Sequence, residues 1–312
     1  MLNIKFRDGK GRKTLGGIAM DDYILSCSST ADMTNGYYSD RDIHHINIQY
    51  DMEGVLYDDN VGESMPLSDF YKKIRDGANP SISQIDTEKY KEYFEEFLKE
   101  GRDIFHVCLS SGISDAYGLA MTAAKELMGK YPDRQVYVLD SLSASAGMGM
   151  LLDLLANKRD EGLSLDKLKS FAENSKRYIN HWFFSTDLKT YVKEKMISDL
   201  AIKPGKTPNF CPLLCVNGEG KIVVIEKIRT KKKTMEAIVS RMEIQAVDGT
   251  RYNGKCFISH SDSEKDAVKL ANMIEARFPN LKGKVVVNEI GKIVGMHTGV
   301  GTVAVFFVGS KR

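Results

Sequence analysis

No stretch of this 312-residue sequence stays apolar long enough to cross a membrane: runs such as Val303 to Val308 fall far short of the ~20 residues a spanning helix needs. A dominant charge is missing as well. Lys and Arg exceed Asp and Glu by only 44 − 42 = 2, which leaves no basic field to hold a phosphate backbone and excludes nucleic acid as an expected partner. CxxC pairs are absent. Cys27, Cys108, Cys211, Cys215 and Cys256 are odd in number and scattered, against both a disulfide framework and a zinc site. Cys211 and Cys215 come nearest to a pair, with Pro212 between them and no His close by, so free buried thiols are expected. There is no GxxxxGK[ST] loop, and GMG at 147–149 lacks the third glycine of a dinucleotide fingerprint, so no nucleotide cofactor is expected. The opening MLNIKFRDGKGRKTLGG has basic residues but no apolar core behind them; it does not read as a secretion signal and predicts a cytoplasmic location. Repeats and low-complexity tracts are not visible.

What is present is a globular composition, 42% hydrophobic and 28% charged, in a chain long enough for two domains. Residues 1–20 are polar and Gly-rich, an N-terminal extension. An apolar stretch from Tyr23 runs into SSTADM as a strand ending in a loop. IFHVCL, SSGISD and AYGLAMTAAKELMGKY then read as strand, turn and helix, and Gln135 to Leu139 followed by DSLSASAGMGMLLDLLANKRDEG repeats the pattern. Successive strand-to-helix units predict a parallel sheet wound with helices. The second half predicts strands at Trp182 to Ser185, Leu213 to Val216, Lys221 to Ile228, Lys255 to Ser259, Lys284 to Glu289 and Thr302 to Val308, with helices near 234–246 and 263–277. NGEGK at 217–221 is a hairpin signal, so this half should hold antiparallel pairs. The fold class is α/β in two domains, 21–172 with a parallel sheet and flanking helices and 173–312 with a mixed sheet and helices.

Two polar loops could carry chemistry. In a parallel sheet, ligands sit beyond the carboxyl ends of the strands, and SSGIS occupies such a place. Helix-start N–H groups with the hydroxyls of Ser110, Ser111 and Ser114 make a cradle for a carboxylate or phosphate; Ser114 as a cap and Gly112 as a turn residue are the plainer roles. HTGVG at 297–301 is the second, where His297 could donate to an anion or accept a phosphoryl group, although a lone His is more often structural. RTKKK at 229–233 reads as a solvated face or a dock for an acidic partner. Met121, Met128, Met148 and Met150 read as core, flexible enough to suit an alkyl tunnel.

Several blocks, in order and spanning about 21 to 308, resemble one family. SSTADM at 28–33 resembles the DSTADL opening of the DegV family, and LYDDNVGESMPLSDFY at 56–71 its hairpin-like segment leading into a helix. LSSGISDAY at 109–117 resembles SSGLSGTY, and VLDSLSASAGMGMLL at 138–152 the VIDS.SAS.G.G segment. IEKIRTKKK at 225–233 resembles VRTRKK, and IGKIVGMHTGVG at 290–301 the terminal IG.VIG.HTGPG.

The resemblance implies a Rossmann-like N-terminal domain and a mixed-sheet C-terminal domain holding a single long-chain fatty acid, in the bacterial fatty acid kinase system. The protein is then a carrier without its own cofactor that presents the acid to a separate ATP-dependent kinase. Carried over by position, headgroup contacts fall on Ser83, Ser111 and His297, with Arg229 near the headgroup or at the kinase interface. The chain also departs from the pattern. Ile82 stands where a threonine hydroxyl is usual, Ser28 replaces an aspartate, and Asp115 and Ala116 replace GT. Glu194, Lys195 and Met196 occupy a GGR position, removing a basic residue unless Lys195 substitutes. The competing reading is a dihydroxyacetone-kinase-like phosphotransfer enzyme with His297 as nucleophile, which needs a phosphodonor site that the sequence does not display.

Overall fold

The computed structural model describes residues 23–83, 86–192 and 209–312, and the backbone of 14–15, 18–19 and 193. Short strands β1 (Thr14–Leu15) and β2 (Ile18–Ala19) pair antiparallel ahead of β3 (Tyr23–Ser28). Helix α1 (Asn35–Asp40) leads to β4 (Ile43–Ile46), the hairpin of β5 (Gln49–Met52) and β6 (Val55–Asp58), α2 (Leu67–Arg75) and β7 (Ser81–Ile82). Then come α3 (Thr87–Lys99), β8 (Asp103–Cys108), α4 (Ala116–Lys130), β9 (Val136–Asp140), α5 (Ala146–Asp160) and α6 (Leu165–Ser175). The second half runs β10 (Ile179–Ser185), α7 (Lys189–Lys193), β11 (Cys211–Val216), β12 (Ile222–Ile228) and α8 (Lys231–Gln245). It closes with β13 (Cys256–His260), α9 (Glu264–Arg277), β14 (Val285–Glu289), α10 (Lys292–Thr298) and β15 (Thr302–Val308).

Strands β4-β3-β8-β9 form a four-stranded, wholly parallel sheet. Its inner strands β3 and β8 are short, mostly apolar runs because both faces are covered: α3 and α4 on one side, α5 and α6 on the other. A six-stranded mixed sheet follows the order β12-β11-β10-β15-β13-β14, antiparallel except for β13 with β14, and the 217–221 turn joins β11 to β12 as a hairpin. Helices α8 and α9 cover one face of it. The two-domain α/β expectation therefore stands, with an addition the sequence did not disclose: a three-stranded sheet, β6-β5-β7, packed with α2 against α10.

Helix α5 lies between the two large sheets and is buried nearly all round. A helix apolar on every side needs neighbours on every side, and α5 meets them through glycines. A Cβ at Gly147 would stand 2.2 Å from His181 Nε2 of β10, and one at Gly149 2.3 Å from Met33 Sδ. Met148 and Met150 are core, but Met121 and Met128 are exposed. Helix α4 packs through Ala120, Ala123, Ala124 and Leu127, which turns the neighbouring methionines outward. All five cysteines are free, four of them buried.

Candidate functional site

Side chains on one face of a strand recur every second residue, and Thr302, Ala304 and Phe306 of β15 form such a row. Their partners on β10 extend the row sideways, Phe183 beside Ala304 and His181 beside Phe306. Over this floor, Leu109 just before the SSGIS loop and Ile113 within it, Ser145 at the start of α5, and Val294 and His297 of α10 enclose an apolar cavity of about 50 Å³. A second cavity of about 440 Å³ opens beside it, walled by Ser81, Ile82, Lys189, Thr190, Met296 and His297 among others. His297 lines both.

The HTGVG segment is built to put that imidazole there. Gly299 and Gly301 have φ of 64° and 89°, backbone that only glycine adopts without strain. A Cβ at either would also press into a threonine hydroxyl, 2.7 Å from Thr190 Oγ1 and 2.2 Å from Thr186 Oγ1. These close approaches dock the chain after α10 against the segment that begins α7.

The serines are differently employed. Ser110 is fully buried; its hydroxyl donates to the Gly220 carbonyl at 2.8 Å and accepts from Gly112 N–H at 3.2 Å. Ser111 is exposed, donating its hydroxyl to Asp140 Oδ2 and its N–H to Asp140 Oδ1 at 3.1 Å. Ser114 accepts from the Ala116 N–H at 3.2 Å, closing the turn into α4. The SSGIS loop thus meets the cavity near Val216 and Ile222, by the β11–β12 turn, whereas His297 meets it at the Thr302 end. Ser83 extends the β7 pairing by donating its N–H to the Gln49 carbonyl at 2.9 Å, next to Ile82 in the wall of the larger cavity. Arg229 is exposed at the end of β12, at the Thr302 end of the sheet but three strand spacings away, on the order of 14 Å. Glu194, Lys195 and Met196 lie outside the described residues.

Sequence reasoning missed a set of buried polar groups around this site. His181 is 2% exposed, and burial holds its imidazole well below the usual histidine range. Asp32, from the SSTADM loop, packs against Gly291 at the start of α10; burial pushes its pKa up to about 8, with the Asp59 carboxylate adding to the rise against nearby Ser145. Lys292, with no exposed surface, has its Nζ 3.6 Å from Asp59, burial lowering the lysine and raising the aspartate. No burial was assigned to these residues from the sequence, where only the neighbouring INHWFF and KIV runs hinted at it.

The DegV family model ("uncharacterised protein, DegV family") matches residues 27–310. The chain belongs to the DegV family. It is 31% identical to a DegV domain-containing protein of Clostridium perfringens, over 94% of this chain and 99% of that one. It is 26% identical to a fatty acid-binding protein of Thermotoga maritima, over 88% and 93% of the two chains. Its fold matches that of a DegV family protein from Thermus thermophilus, whose structure is described as one of fatty acid binding. The TM-score is 0.80 at 23% identity, covering 93% of this chain and 100% of the other.

Proposed function

We propose that this DegV protein binds one long-chain fatty acid, with its carboxylate at His297 and its alkyl chain along the face of β15 and β10. The observation that carries this is the position of His297 between an apolar cavity and a larger, partly polar one that opens beside it. Fatty-acid binding by its relatives supports the same reading. The inner cavity is far smaller than the ~300 Å³ and upward of most ligand sites, so loading requires its walls to part. Ser83, next to Ile82 in the wall of the larger cavity, is the serine that would join His297. Ser110, Ser111 and Ser114 join only on breaking their present bonds, and Arg229 acts at a distance or on a partner. With the carboxylate at the mouth, the acid is presented to a separate ATP-dependent kinase, a carrier's role and not an enzyme's.

Purified protein should yield one equivalent of fatty acid on extraction, identified by mass spectrometry. His297→Ala should weaken binding roughly 10- to 150-fold, the ~1.5–3 kcal/mol of a hydrogen bond to a charge. Unchanged affinity in that variant removes His297 from the site. A phosphate found on His297 after exposure to a phosphodonor would instead favour phosphotransfer.

A further inference from the structure

Apolar walls suffice to hold a saturated alkyl chain, and a buried polar group without a partner carries a penalty that leucine or phenylalanine would not. His181 is such a group. It lines the inner cavity, is 2% exposed, and neither ring nitrogen has a hydrogen-bond partner among the described residues. The ring is held edge-on to Phe306, centroids 5.3 Å apart at 85°, and Gly147 leaves room for Nε2 where any other residue would strike it. The Ile179 backbone is near enough to favour protonation slightly, but burial outweighs it and keeps the ring neutral, with one donor and one acceptor. Thr298 of α10 and Thr302 of the floor differ: their hydroxyls donate to the carbonyls of Val294 at 3.1 Å and Thr298 at 3.3 Å. Ser145 stands two residues before Gly147, its hydroxyl without a hydrogen-bond partner among the described residues although it lies close enough to the Asp32 carboxyl to favour that group's ionised form. His181 from β10 and Ser145 from the start of α5 therefore both line this cavity.

Their place along the cavity sets the place of the ligand group. His181 pairs with Phe306, four residues beyond Thr302 at the His297 end. Four strand residues span roughly 13 Å, about ten links of an extended chain of 1.5 Å C–C bonds. We infer that the cavity takes a fatty acid bearing a hydroxyl or keto oxygen about ten carbons from its carboxylate, received by His181 with Ser145 beside it. This rests on the carrier reading and names its ligand class.

The test is the affinity of purified, delipidated protein for stearate and for 10-hydroxystearate, with His181→Phe and His181→Gln variants. The wild type should bind the hydroxy acid as tightly as stearate, within about threefold, or more tightly. His181→Phe should lower the affinity for the hydroxy acid relative to that for stearate by at least about tenfold, whatever it does to stearate itself, while His181→Gln, still able to donate and accept, keeps the wild-type ratio. A wild type that rejects the hydroxy acid by tenfold or more, or a ratio unmoved in His181→Phe, overturns the inference while leaving the carrier reading in place. If His181→Phe does not fold, the wild-type ratio and the Gln variant decide alone. Failure of the wild type to bind either acid overturns both readings.

Discussion

A carboxyl group buried beside another carboxylate keeps its proton into mildly alkaline solution, and Asp32 is so placed, its pKa pushed from 3.8 to about 8. Between those values the folded protein holds a proton that the unfolded chain has released, so this group lowers stability progressively as pH rises across the interval. Asp32→Asn removes the dependence. Its stability relative to wild type, from urea unfolding, should climb with pH by up to about 1.4 kcal/mol per unit between about pH 5 and 8; a flat difference would show Asp32 ionised throughout. Single residues were where the sequence was hardest to read. His297 could be picked out because its glycines advertise a special backbone, but Lys292 and His181 have no local mark. Their burial is decided by Asp59, Tyr50, Phe306 and Gly147, all distant in sequence.

Elements were read far better. The strands β8, β9, β12, β13, β14 and β15 lie within a residue or two of their apolar runs; β8, β13 and β15 are covered on both faces and so need apolar side chains on both. Helix α10 went unread since seven residues ending in HT ahead of Gly299 look like loop; just before it, the Tyr71 hydroxyl donates to the Ile290 carbonyl at 2.7 Å. The three-stranded sheet was missed because its strands are two to four residues long. Helix α5 was foreseen, but not that GMG at 147–149 serves close approach, Gly147 to His181 of β10 and Gly149 to the loop that carries Ala31 and Met33. Gly147→Ala should therefore cost about 1–3 kcal/mol, although alanine is the better helix former. Chemical denaturation measures this, and a stabilised variant would mean that His181 moves aside freely.

At the scale of the molecule, the core that includes α5 draws residues from both large sheets: Leu25 and Val107 from one, Phe183 and Phe257 from the other. Ion pairs cross at the same place, Lys255 of the second half meeting Asp153 of α5 at 2.7 Å. Two domains joined through one shared layer should unfold together. Differential scanning calorimetry is expected to give a single transition with matching calorimetric and van't Hoff enthalpies, and two resolved peaks would show the halves to be independent.

The same shared helix decides how the gene can be divided. A cut before α5 leaves the parallel sheet of the first fragment without the helix on one face; a cut after it strips the equivalent cover from the mixed sheet of the second. Either way one fragment emerges with a bare apolar surface, which associates or aggregates until its complement arrives. This chain is thus suited to fragment complementation: its halves regain a packed core, and with it a closed cavity, only when they meet.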